Sequence, residues 1–186
     1  VLLLAAEFNR HPEVIKCLHE TFKNTIDIHK ENIDGNDALL LAIKHELNGN
    51  IIVQCFCDTF KDKININKQY RDGYTLMMRV AECHNVEIVR YLCTKFKNTI
   101  QINKLGKNRR TFLMHAALYA SDEIMQILCE TFKDKININQ QDGSGNTMLS
   151  IALLNRNLKV AQYLFDTFKN SIDINIRNHD GCTVLM

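Results

Sequence analysis

Residues 59–67 read Thr-Phe-Lys-Asp-Lys-Ile-Asn-Ile-Asn, and the same nine residues return unchanged at 131–139. Looser copies begin at Thr21, Lys95 and Thr167. The phenylalanines of the five copies, Phe22, Phe60, Phe96, Phe132 and Phe168, are spaced 38, 36, 36 and 36 residues apart. A second marker follows each phenylalanine by 15 residues: Asp37, Thr75, Thr111, Thr147 and Thr183. Because that offset never varies, all the length variation falls in residues 45–50. An insertion confined to one spot marks a surface turn between elements. Self-similarity at a fixed period of this size is the signature of a repeat array, and it governs every later step.

Each unit reads as two helices. From Thr75, residues 76–83 are apolar-rich and free of breakers, and His84 with Asn85 interrupts them. The next segment carries Ile88, Val89, Leu92, Cys93 and Phe96, a stripe at helical spacing. The following unit repeats the stripe at Ile124, Met125, Leu128, Cys129 and Phe132. Each longer helix is expected to stop at Lys-Asn or Lys-Asp, since Asn tolerates the left-handed conformation of a helix end. The Ile-x-Ile-Asn piece reads as extended, and a polar turn such as residues 141–145 closes the unit. Two short helices cannot bury their apolar faces alone, so neighbours must stack into one continuous core. The expected fold class is therefore all-α, a solenoid of helix–turn–helix units with short extended finger loops.

These residues resemble the ankyrin repeat. Asp142-x-x-Gly145-x-Thr147-x-Leu149 looks like the turn and first-helix opening of that family, and residues 111–117 look like its first helix. Residues 87–92 resemble the second helix, and Ile102-Asn103 the closing Val-Asn. The resemblance covers the whole chain as one array. Its repeats are expected at about 1–34 (partial), 35–72, 73–108, 109–144, 145–180 and 181–186 (the start of a sixth). The usual unit has about 33 residues; most of these have 36, with the extra three between the second helix and Ile-x-Ile. From this a second helix nearly one turn longer is expected, with phenylalanine extending its buried stripe. Arg109 stands where the family has glycine, and Tyr70 and Gly106 stand where it has the turn's Asp, so these fingers should bend differently. The chain opens and closes inside first helices without recognisable polar caps, and a longer parent protein is expected.

Composition narrows the function. Formal net charge is +2, from 23 basic and 21 acidic residues among 186. That balance offers no footprint for nucleic acid or an anionic membrane. The longest apolar runs, residues 1–6 and 38–43, fall far short of the about 20 residues a spanning helix needs. Seven cysteines are an odd number in a chain that does not need disulfide staples, so a reducing, cytoplasmic setting is expected. The Lys-, Asn- and Ile-rich composition points to an AT-rich genome, and secretion into a host cell stays open. Cys57, Cys93 and Cys129 share one register position, filled elsewhere by His19 and Phe165, as expected of packing rather than metal ligation. Cys83, His84 and His115 suggest a thiol–imidazole pair but lack an orienting third group and an oxyanion donor. No cofactor, metal or catalytic residue is expected, and the chain is read as no enzyme.

By resemblance, a partner protein should lie against the fingers and first helices, the concave side of such arrays. Lys104, Lys107, Arg109 and Arg110, near Lys68 and Arg71, read either as a solvated finger or as a basic docking edge for an acidic segment. Outward positions of the first helices include Arg79, His115 and Ile151, then Leu118 and Leu154 three residues on. The expected contact set is Arg71, Tyr74, Arg79, Lys107, Arg109, Arg110, His115, Leu118, Ile151 and Leu154, facing a partner segment with acidic and apolar residues. The alternative is a structural or regulatory stretch of a larger protein with a separate catalytic or effector domain.

Overall fold

The computed structural model describes residues 1–8, 11–23, 25–44 and 49–186. Five helix pairs follow one another: α1 (Leu2–Phe8) and α2 (Pro12–Thr21), α3 (Ala38–Lys44) and α4 (Gly49–Thr59), α5 (Leu76–Glu82) and α6 (Val86–Lys95), α7 (Phe112–Tyr119) and α8 (Asp122–Phe132), α9 (Met148–Leu154) and α10 (Leu158–Phe168). The odd-numbered helices stack in one layer and the even-numbered in a second. Among the described residues there is no strand, only an isolated bridge between Gln69 and Thr75. No helix among them is long and apolar enough to cross a membrane. Of the expected insertion at 45–50, residues 45–48 lie outside the described residues.

The marker column starts the first helices. Thr75, Thr111 and Thr147 each accept the backbone N–H three residues on, at 3.3, 3.2 and 3.3 Å. Asp37 does the same for Leu40 at 3.0 Å. Such caps contribute about 0.5–2 kcal/mol each. In two units the box is closed by sulfur: the Thr75 and Thr111 N–H groups donate to Met78 Sδ at 3.5 Å and Met114 Sδ at 3.4 Å. Asn85, Ser121 and Asn157 cap the second helices in the same way. His84 (φ 51°) and Arg156 (φ 58°) take the left-handed conformation in the turn between paired helices.

The second helices end differently from expectation. Among the described residues no left-handed residue stops them: Asn98 and Asn170 keep negative φ, and Asn24 lies outside the described residues. The chain tightens instead. The Phe60, Phe96 and Phe168 carbonyls accept N–H groups three residues on, from Lys63 at 2.8 Å, Thr99 at 2.9 Å and Ser171 at 2.8 Å. In two units, Lys61–Lys63 and Lys133–Lys135, the three extra residues form a 3-10 turn rather than another α turn. The phenylalanine is thereby the last helical or capping residue and is tucked under the turn. Phe60, Phe132, Phe96 and Phe168 are all buried, while Phe22, in the first unit, is 48% exposed.

Neighbouring units are joined by an amide ladder at the end of each Ile-x-Ile-Asn piece. The side-chain amides of Asn67, Asn103 and Asn139 donate to the backbone carbonyls of Thr99, Lys135 and Ser171, each at 2.7 Å. The Asn67 and Asn139 side-chain carbonyls accept from the N–H groups of Gln101 at 2.8 Å and Asp173 at 2.9 Å. His29 stands at the first rung, its Nε2 2.9 Å from the Lys63 carbonyl. Each asparagine therefore binds backbone of the next unit.

Candidate interaction surface

The fingers project beside the first helices, and their tips turn on a glycine column. Gly35, Gly73, Gly145 and Gly181 have φ of 77°, 83°, 81° and 78°. Arg109 occupies the same register with φ 55°, preceded by Asn108 at φ 57°. Two adjacent left-handed residues give this third finger its own bend, as expected from its missing glycine and missing Asp. Finger four closes onto it: the Gly143 N–H donates to the Asn108 carbonyl at 2.7 Å, and a Cβ at Gly143 would lie 2.8 Å from that oxygen.

Tyr74 lies where the second and third of these fingers meet the first helices. The Arg79 guanidinium sits 4.0 Å from its ring centroid and Lys107 Nζ 4.8 Å from it. The His115 ring meets it edge-on at 5.2 Å, and Tyr119 packs on His115 at 4.8 Å. Arg79 is held by Asp72 and by Glu82 Oε2 at 2.9 Å. Glu82 Oε1 lies 3.0 Å from His115 Nε2. Burial opposes ionisation of Glu82, but hydrogen bonds from His115 and Arg79 prevail and hold its carboxyl below the usual range. The result is a braced aromatic surface flanked by cations, of the kind that dominates protein interfaces.

Of the ten predicted contact residues, four meet at Tyr74. Tyr74, Arg79 and Lys107 converge. His115 is 3% exposed, so it braces Tyr74 from beneath and is not itself open to a partner, a correction to its expected role. Arg110 also needs correction. Its Nε donates to Asp142 Oδ2 at 3.1 Å, and the Asp142 side chain is 1% exposed, so the guanidinium neutralises a buried acid. Arg71 is open but leans on Glu31, 3.3 Å away. Ile151 is 1% exposed: it faces inward on α9, in the α7–α9 contact, and belongs to the core rather than to an apolar patch. Leu118 is half-buried against that core and Leu154 is exposed. The expected patch of three therefore reduces to Leu154 and the edge of Leu118.

Charge is distributed unevenly among the basic residues. Lys68 is clasped by Asp37 at 2.8 Å and Glu31 at 3.1 Å. Burial disfavours its charge, yet these two carboxylates outweigh burial and raise its pKa. Lys104 donates to the Asn67 carbonyl at 2.7 Å. Around these two fingers seven cations (Lys68, Arg71, Arg79, Lys104, Lys107, Arg109, Arg110) face five carboxylates (Glu31, Asp37, Asp72, Glu82, Asp142), leaving an excess of two. That equals the formal net charge of the whole chain, +2.

Cys57, Cys93 and Cys129 behave as core. Burial pushes the thiols of Cys57, Cys93 and Cys129 up to about 12. Among the described residues no three His, Cys, Asp or Glu side chains gather as a metal site. Thiolate is the reactive form. In the folded protein at pH 8, a maleimide should therefore label the exposed Cys17 and Cys182 quickly and Cys93 only on unfolding. Rapid labelling of Cys93, read by peptide mass spectrometry, would contradict this packing.

Asp72, Tyr119 and the asparagine ladder were not singled out from sequence. Tyr119 carried a signal, lying one helical turn beyond His115. The ladder's signal was the asparagine repeated at 67, 103 and 139.

Comparison with known proteins adds two findings. The family described as ankyrin repeats (3 copies) matches residues 2–105 and 96–178. The solved ankyrin repeat domain of Bcl-3, described as a unique member of the IkappaB protein family, superposes with a TM-score of 0.79 at 21% identity, covering 100% of this chain and 75% of that one. No curated protein matches the sequence.

Proposed function

Because the chain belongs to the ankyrin-repeat family, whose arrays are interaction modules rather than catalysts, we propose that it captures a partner protein on its concave face, formed by the first helices and the fingers. The observation that carries this reading is the braced Tyr74 surface between Arg79 and Lys107. An aromatic ring immobilised before binding loses little entropy on contact, which is what an interface anchor requires. The partner is a segment with acidic and apolar residues, its apolar part meeting Leu118 and Leu154. The units that form the face are those expected at 35–72, 73–108, 109–144 and 145–180.

Tyr74→Ala tests the reading. Against a partner recovered by cross-linking, it should weaken binding by about tenfold or more, since anchors contribute at least about 2 kcal/mol. Surface plasmon resonance should place the loss mainly in the dissociation rate. Arg90→Ala, on the opposite layer, should bind like the parent. If Tyr74→Ala binds normally while Arg90→Ala does not, the partner uses the outer layer of second helices instead.

A further inference from the structure

We infer that Arg109 is kept in a glycine-type backbone conformation to present, together with Lys107, a cation pair to a cluster of carboxylates on the partner. This rests on the concave-face reading and names the chemistry recognised there. Four of the five fingertip positions in this register are glycine with φ near 80°, and the fifth is Arg109 at φ 55°. A side chain in that region is disfavoured by contact between Cβ and backbone, and glycine escapes the contact. The fold alone would favour glycine here. A strained residue with an open side chain points to a role outside the fold.

Its charge agrees with its geometry. Arg109 is exposed and no carboxylate among the described residues pairs with it, in contrast to its neighbour Arg110. Lys107, two residues earlier on the same finger, is exposed and rests on Tyr74, with no carboxylate partner among the described residues. Of the three cations around these fingers that meet no carboxylate among the described residues, Lys104 is half-buried on the Asn67 carbonyl, and the two exposed ones, Lys107 and Arg109, share one fingertip next to the aromatic anchor. Two cations this close, with no internal acid between them, attract an acidic peptide segment and speed its arrival.

The probe is a fluorescein-labelled peptide of about 12 residues in which Asp and Glu alternate with Leu; its control replaces every Asp by Asn and every Glu by Gln. Fluorescence anisotropy at low salt should show that the parent prefers the acidic probe, and that the preference falls as salt screens it. Arg109→Gly should weaken acidic-probe binding by about fivefold while raising the thermal midpoint by about 2–4 °C, a gain in stability with a loss of binding. Arg109→Lys should keep most of the binding with no gain in midpoint. The inference is overturned if the parent binds the control as tightly as the acidic probe, if it binds neither, or if Arg109→Gly binds like the parent. If Arg109→Gly weakens binding while Tyr74→Ala does not, recognition of carboxylates stands and the proposed reading of Tyr74 as the anchor of the face fails.

Discussion

Phe132→Ala is expected to lower the unfolding free energy by about 3–5 kcal/mol, the range for emptying an aromatic core site. Phe132 is 2% exposed and is the last residue of α8, beneath the 3-10 turn Lys133–Lys135. The turn cannot follow a collapsing side chain inward, because Asn103 of the preceding unit fixes the Lys135 carbonyl at 2.7 Å. The cavity should therefore stay open, at the high end of the cost. Phe22→Ala provides the control. The same residue in the same register is 48% exposed at Phe22, and its loss should stay below about 1 kcal/mol. Urea denaturation followed by circular dichroism measures both. Equal losses at the two positions would show that Phe132 is not enclosed as described.

Arg110→Glu should cost about 3 kcal/mol, whereas Arg109→Glu should stay within about 0.5 kcal/mol. The two arginines are adjacent and alike in sequence, yet only Arg110 reaches Asp142. Asp142 Oδ1 already accepts the N–H groups of Ser144 and Asn146, both at 2.9 Å, and so shapes the fourth finger. A glutamate at 110 would set a second carboxylate against a buried one and leave both without a cation. The figure sits at the low end for a broken buried pair because Arg110 itself is 24% exposed. Thermal melts of the two variants decide it. Equal destabilisation, or none in either, would remove Arg110 from the folding role assigned to it.

The repeat was legible because it is written in positions whose chemistry is fixed by the backbone. A helix cap needs a short side-chain acceptor, here Thr or Asp in the first helices, and the end of a buried stripe needs a large apolar residue, here Phe, so the markers recur at a constant offset. The role of each basic residue was not legible. Whether a lysine or arginine is neutralised depends on which carboxylate of another unit lies within 4 Å. Asp37 takes Lys68 from 31 residues away, and Asp142 takes Arg110 from 32 away. Ile151 and His115 were misread for a related reason. The first helices are only seven or eight residues long and buried on most of their circumference, so helical period alone does not single out an exposed side. Asn98 and Asn170 show the limit of residue preference: Asn permits a left-handed helix stop, but three additional residues let the chain turn without one.

The amide ladder separates the frame of this array from the surface proposed to bind. Neighbouring units are tied by asparagine side chains bonded to backbone atoms just beyond the ends of the second helices. Each tie asks of the next unit only backbone atoms, which every residue type shares. Side chains on the fingers and first helices can then drift, one position at a time, while these ties stay in place. A lineage carrying this ladder could change what it recognises without relearning how to fold.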